Sequence, residues 1–380
     1  MTKSLTEMIL AFPAGAVEAV ILCPRGQSAE IFRAAGFKVV EAYGIARWNE
    51  SRHGYYRGLR WLVLLRELVF LPFTLLALRR ALAEGPYDLI HSNEVDTTYL
   101  GLLTKRLTGV PLVAHVRCLL RGPGGSRRTR HQEAALAAAD QVIAIDGNVR
   151  RTLPPDLPVE IVHNGMTVKG ETIQELRDGG TVRVAAIGTL NATKGIYQFL
   201  DAARRCRAAR LDVEFWLVGG NVRQVAGPIG WLMRQLGLEN DVRADLERII
   251  QAEGLASRVL LKGVVKDVSA IYRQIDIVSF VTPLDAPGRP VFEAAYFGIP
   301  SVVAVRDPTP DTIVPGETGI CIPMPDPKLL ADAVEYLYRN PAERRRMGEN
   351  ARVLAQANFD IRRNAARVLD IYRRLAGSRF

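Results

Sequence analysis

Cysteine is scarce in this chain. Its 380 residues hold four, at Cys23, Cys118, Cys206 and Cys321, with no Cys-x-x-Cys pair. Such scattering offers neither a disulfide framework nor a zinc knuckle and suits a reducing cytosol. The five histidines show no His-Glu-x-x-His or other ligand spacing, so neither a metal nor a cofactor is called for. Met1 to Gly15 lacks the charged-then-apolar layout of a signal peptide, and the expected location is the cytoplasm. A net charge of +10 comes without a basic-aromatic RNP pattern, zinc-finger spacing or a heptad-linked basic helix. Nucleic acid is therefore excluded as the expected partner, and the charge points to an acidic bilayer surface or a phosphorylated substrate. Neither an internal repeat of 20 to 50 residues nor a low-complexity tract is visible.

A long charge-free apolar run is also missing. Trp61–Leu78 comes nearest, with twelve Leu, Val or Phe residues interrupted by Arg66, Glu67 and Pro72. On an insertion scale the twelve contribute about −4 to −7 kcal/mol and the two charges cost roughly +5 to +7. The sum lies near zero, so a spanning helix is not expected. Two readings stand: a core-facing helix, or an interfacial helix lying in a bilayer surface with Arg79 and Arg80 at its edge.

What is present is ordinary globular composition, 48% hydrophobic and 24% charged, in a chain long enough for two cores. Short apolar runs alternate with helix-like stretches, the pattern of parallel sheets covered by helices in an α/β fold. The first set of strand candidates is Ala19–Cys23, Lys38–Glu41, Leu89–His91, Leu112–His115, Gln141–Ile145 and Val159–Val162. The second is Val182–Ile187, Glu214–Val218, Val259–Lys262, Ile277–Phe280, Ser301–Ala304 and Gly319–Ile322. The rhythm restarts near residue 180, after a polar stretch Ile173–Thr181 that reads as a linker. Expected domains are therefore 1–178, 179–357 and a returning basic helix within 358–380. Between Asn221 and Gly254 lies a long connection whose Trp231–Leu236 patch reads as core packing or as a dimer contact; the oligomeric state is left open.

The most informative stretch is Asp285-Ala-Pro-Gly-Arg-Pro-Val-Phe-Glu293, followed by Ala-Ala-Tyr-Phe-Gly-Ile-Pro300. Two acids eight positions apart flank a Pro-Gly-Arg-Pro loop, with a helix expected to begin at Glu293. The uncapped N–H groups of such a helix start suit an anionic ligand, although an acid in that place equally serves to cap its own helix. The segment resembles the acid-x7-acid signature of glycosyltransferase family 4, roughly Glu-Pro-Phe-Gly-Arg-Pro-Val-x-Glu-Ala-Met-Ala-x-Gly-x-Pro. Asp285, Ala286 and Pro287 depart from that line. Gly188-Thr-Leu-Asn-Ala-Thr-Lys-Gly195 is similar to the family's Gly-Arg-Leu-x-x-x-Lys-Gly loop, with Thr189 in the arginine position. Supporting resemblances lie at Tyr87–Asn93, Ala139–Ala144, Val162–Gly165, Gly219-Gly220, Asp276–Phe280 and Asn358–Asp360.

The resemblance implies a GT-B architecture, two Rossmann-like domains facing a cleft, and a retaining, metal-independent transfer of a hexosyl group. The donor is a nucleotide sugar and the acceptor a lipid-linked or saccharide precursor, with the chain peripheral on the inner face of a membrane. By the same resemblance Asp285 positions the donor sugar, Glu293 holds the ribose and Lys194 neutralises the diphosphate. Gly188, Thr189, Gly219, Gly220, Val264, Pro287, Gly288, Arg289, Pro290 and Val291 complete the donor side. The family's histidine near the donor sugar corresponds to His115 or to Arg117. Downstream, Arg121, Arg127, Arg128 and Arg130 crowd a glycine-rich stretch that reads either as a solvated loop or, with Arg117, as a phosphate grip on the acceptor side. Family members open with a strand and a glycine-rich turn, whereas this sequence begins at what looks like the first helix. A sheet lacking its first strand, from a misplaced start or a shortened chain, is the expectation. Two alternatives stand beside the transferase: a nucleotide-sugar epimerase on the same fold, and a non-catalytic nucleotide-sugar-binding or partner protein.

Overall fold

The computed structural model describes residues 2–46, 62–120, 127–167, 180–220 and 241–377. The chain divides into two compact units, Met1–Ser51 with Leu59–Thr167 and Phe359–Phe380, and Arg52–Gly58 with Val168–Asn358. The expected linker lies almost wholly outside the described residues, as do Trp231–Leu236 and Arg121.

In unit 1 the elements run α1 (Thr2–Leu10), β1 (Val20–Pro24), α2 (Gln27–Ala34), β2 (Lys38–Ala42), α3 (Leu62–Leu82), β3 (Ile90–Ser92), α4 (Val95–Thr108), β4 (Leu112–Val116), α5 (Arg127–Ala137), β5 (Gln141–Ala144), α6 (Gly147–Arg151) and β6 (Val159–Ile161). Its strands form two separate parallel sheets, β1-β2 and β3-β4-β5-β6. β4 is buried at all five positions, as a strand covered on both faces should be. The unit ends with α13 (Ile361–Ala376), capped by the Asp360 carboxylate, which accepts from the Arg363 N–H at 2.7 Å. One face of α13 buries Ala365, Val368, Leu369 and Tyr372 in a core shared with Leu5 and Met8 of α1 and with Phe12 just beyond it.

α3 buries one face of the greasy segment and exposes another. Ala77, Leu78 and Ala81 are buried, and Ala77 and Ala81 pack with Val40 and Ala42 of β2. Leu65, Leu68, Val69, Phe73, Leu75 and Leu76 are exposed, between 42 and 61%, far more apolar surface than scattered single residues supply. Pro72 sits inside the helix, and the Thr74 hydroxyl donates to the Phe70 carbonyl at 2.9 Å while accepting from the Ala46 N–H. Among the described residues no helix is long and apolar enough to cross a membrane.

Unit 2 carries β7 (Val182–Ile187), a short 3-10 turn (Ala192–Lys194), α7 (Ile196–Ala208), β8 (Val213–Val218), α8 (Val242–Ala252), β9 (Val259–Gly263), α9 (Ser269–Tyr272), β10 (Ile277–Phe280), α10 (Arg289–Tyr296), β11 (Ser301–Ala304), β12 (Gly319–Ile322), α11 (Pro327–Arg339) and α12 (Pro341–Asn358). All six strands join one parallel sheet in the order β12-β11-β10-β7-β8-β9. Chain order reverses between β7 and β10, so their C-terminal ends flank the topological switch point, where open α/β sheets leave a crevice for ligands.

Candidate functional site

The loops that leave β7 and β10 meet at this switch point. Gly188 follows β7 with φ +146°, and its N–H bonds the Val218 carbonyl at 2.9 Å. Gly219, after β8, has φ +145°, and a side chain there would place its Cβ 1.8 Å from the Gly188 carbonyl oxygen. Gly195 ends the 3-10 turn in the left-handed region, and its Cβ would lie 1.6 Å from the carbonyl oxygen of Val281. Only glycine permits either approach, and the second locks the Lys194 loop against the segment leading to Asp285. The turn is held by Asn191, whose side chain accepts from the Thr193 N–H at 3.1 Å. Lys194 is exposed, its Nζ 5.7 Å from the ring centre of Phe280, close enough for cation–π attraction. Thr189 is exposed on the same loop.

The acid loop crosses from Thr282 to α10. Gly288 is the helix N-cap and no side chain caps the first turn. Pro290 in that turn suits a helix start, since its missing N–H costs no intrahelical bond. The helix thus begins at Arg289, one turn earlier than the sequence suggests, and Glu293 stands on the second turn. Its carboxylate is well held: one oxygen accepts from Arg289 Nε at 2.7 Å and the other from the buried Tyr272 hydroxyl at 2.9 Å. Burial first, and then the Glu293 charge, push the Tyr272 phenol well above its ordinary range, so it remains a donor. Asp285 adopts φ +56°, a conformation that strains a non-glycine residue. Its carboxylate accepts from the Arg306 N–H at 2.8 Å and Nε at 3.2 Å. Gly288 is confined by Phe280, whose ring would lie 2.3 Å from an added Cβ. Val264, after β9, is 80% exposed.

In unit 1, His115 and Arg117 close β4. His115 is 2% and Arg117 7% exposed. Arg117 donates from Nε to the Asn93 side-chain oxygen at 2.6 Å and from Nη1 to that of Asn164, and its Nη2 lies 3.2 Å from His115 Nδ1. Burial, with the Arg117 cation second, holds His115 well below its ordinary pKa and lowers His91 to about 3, so both rings are neutral. The two rings lie edge to face at 5.3 Å, and Tyr372 hydroxyl is 2.6 Å from His91 Nδ1. Arg117, His115, Asn164, Asn364 and Ser4 border one small cavity.

The structure therefore assembles Gly188, Thr189, Lys194, Gly219 and Gly220 with Pro287, Gly288, Arg289, Pro290, Val291 and Glu293 on one unit, though they span more than a hundred residues of sequence. His115 is a packed side chain. Arg127 and Arg128 lie at the start of α5, but their side chains are outside the described residues. Among the described residues no group of three His, Cys, Asp or Glu could hold a metal ion. Sequence reading missed Arg306, whose partner stands 21 positions away, and Asn93 and Asn164, which fix Arg117. Both asparagines stood in the resemblance segments, but nothing in a sequence tells which polar residue a buried cation will recruit.

Two family models cover nearly the whole chain: Glycosyltransferase Family 4 over residues 1–169 and Glycosyl transferases group 1 over residues 171–354. The chain belongs to glycosyltransferase family 4. Relatives of this family 4 chain include the D-inositol 3-phosphate glycosyltransferase of Corynebacterium diphtheriae, 24% identical over 75% of this chain and 70% of that protein. The lipopolysaccharide core mannosyltransferase LpcC of Rhizobium leguminosarum is 23% identical over 80% and 83%. Among solved structures, Anabaena HepE in complex with UDP superposes with a TM-score of 0.73 at 18% identity, covering 98% of this chain and 96% of that one. Sucrose-phosphate synthase of Thermosynechococcus elongatus gives 0.66 at 21% identity, over 92% and 94%. The family 4 chain shares the GT-B fold of these proteins, with two parallel-sheet α/β units.

Proposed function

We propose that this family 4 glycosyltransferase moves a hexosyl group from a nucleotide sugar to a lipid-linked or polysaccharide-precursor acceptor with retention at the anomeric carbon. The observation that carries the reading is the meeting of the Lys194 loop and the Asp285–Glu293 segment at the sheet's switch point. In this reading the uncapped start of α10 and Lys194 meet the two charged groups of a nucleoside diphosphate. Stabilising that leaving group is the main electrostatic task of the reaction. Glu293, its carboxylate oriented by Arg289 and Tyr272, holds the ribose by accepting from its hydroxyls. Asp285, released in part from Arg306, positions the sugar. UDP and UDP-glucose, found with the HepE neighbour, are the first donors to try.

Arg117 serves the acceptor side, oriented by Asn93, Asn164 and His115. The exposed face of α3, with Arg79 and Arg80 in its last turn, lies in a bilayer surface on the cytoplasmic side and brings the enzyme to a lipid-linked acceptor. A second reading is favoured by Thr189: without the family's arginine, the chain binds a nucleotide sugar yet turns it over slowly or not at all. The test is turnover of UDP-glucose with a polyprenyl-phosphate or oligosaccharide acceptor, the product's anomeric coupling read by NMR. An α-linked product supports the transferase with retention. A β-linked product contradicts retention, and nucleotide binding with no product supports the second reading. Epimerised sugar nucleotide without acceptor would instead place the chain with the epimerases of this fold.

A further inference from the structure

Arg306 lies just past β11, and β11 pairs with β10 on the side opposite to β7. The loop after β10 that carries Asp285 is thus flanked by a cation-bearing loop on each side, with Lys194 after β7 and Arg306 after β11. Resting on the donor-site reading, we propose that Arg306 reads the transferred sugar and that this sugar carries a carboxylate, as a hexuronate does.

A guanidinium holds its five N–H donors on two edges, Nε with Nη2 and Nη1 with Nη2. Arg306 turns the first edge to Asp285: Nε is 3.2 Å and Nη2 3.1 Å from the same carboxylate oxygen, Oδ2. The other oxygen accepts from the Arg306 backbone N–H at 2.8 Å. Nη1 has no partner among the described residues, and the side chain is 71% exposed. The second edge is therefore open to a ligand. It matches the two oxygens of one carboxylate, with charge-assisted bonds that a neutral hydroxymethyl group does not give.

Asp285 adds an independent observation. Its φ of +56° is strained, and an exposed ion pair contributes little to stability. Strain that so weak a bond does not offset points to a ligand that adds to it. Because both Asp285 oxygens are engaged by one residue, the pair is neutral as a whole and offers open donors. Such a pair favours an incoming acceptor, where a bare carboxylate would choose donating hydroxyls. When Asp285 lets go of one bond to meet a sugar hydroxyl, Arg306 stays beside it and counters the repulsion between two carboxylates. The diphosphate is met on the other flank of the loop, toward Lys194.

The experiment titrates UDP, UDP-glucose and UDP-glucuronate into the full chain by calorimetry, with GDP, GDP-mannose and GDP-mannuronate as the guanine series, and repeats both with Arg306→Ala and Arg306→Lys. In the series whose nucleotide binds, the uronate is expected to bind about tenfold or more tightly than the neutral sugar. Arg306→Ala should bring the two sugars within about twofold of each other, and Arg306→Lys, which keeps the charge but not the fork, should retain only part of the preference. Equal affinity for the two sugars in the parent overturns the proposal, as does a preference that survives Arg306→Ala. A loss in Arg306→Ala that is the same for the bare nucleotide as for both sugar nucleotides also overturns it and assigns Arg306 to the diphosphate. These three results leave the donor site standing, whereas nucleotide binding in neither series overturns the donor site and the hexuronate together.

Discussion

Unit 2 and unit 1 are both made from short parallel strands, but one sheet is continuous over six strands and the other is divided in two. In the continuous sheet the strand ends are locked by backbone contacts at Gly188, Gly195 and Gly219, and Lys194 stands exposed at the rim. In the divided one the polar residues turn inward: His91, His115 and Arg117 pack against Asn93, Asn164 and Tyr372.

The sharpest way to break unit 2 is Gly195→Val. With φ +70° and a backbone oxygen 1.6 Å from the new Cβ, it should cost about 3 kcal/mol or more, since no flexible side chain can yield. Thermal unfolding of the variant reads this, and a loss below 1 kcal/mol would mean that the two loops are not locked together. In unit 1, Arg117→Ala leaves Asn93, Asn164 and His115 without their buried partner and should cost about 2 to 4 kcal/mol by chemical denaturation.

Acid distinguishes the units next. His91 and His115 have depressed folded pKa values, so the unfolded chain binds their protons first. Their stabilising contribution is complete above the unfolded value near 6.5 and is lost as pH falls toward about 3 for His91. Unit 1 should lose about 1.4 kcal/mol per pH unit for His91 over that range, with His115 acting in the same direction. Hydrogen exchange at pH 7 and pH 5 should show faster opening of β3 and β4 with β7 and β8 much less affected; equal loss in both units would contradict the neutral buried pair. Smallest in stability is Lys194→Ala, expected within about 0.5 kcal/mol because the side chain is exposed.

Among the described residues the sequence exposed all twelve strands to within two residues at either end, because most are short runs rich in Val, Ile or Leu, and a buried parallel strand has little other way to look. The switch-point loops were legible through glycine spacing, which reports backbone crowding directly. The start of α10 was misplaced because Pro-Gly-Arg-Pro reads as a loop, although a proline in the first turn fits a helix. The two faces of α3 were illegible for a different reason: Leu and Val occupy both, and composition cannot say which face meets β2. Arg306 remained hidden because its bond to Asp285 depends on how β11 lies beside β10.

The most direct test of the donor-site assignment is calorimetric titration of UDP and GDP into the full chain and into Lys194→Ala and Glu293→Ala. Binding of one nucleotide by the parent, weakened about tenfold or more in both variants with folding intact, is the result the account predicts. Equal affinity in all three proteins would contradict it and place nucleotide binding away from the β7–β10 switch point.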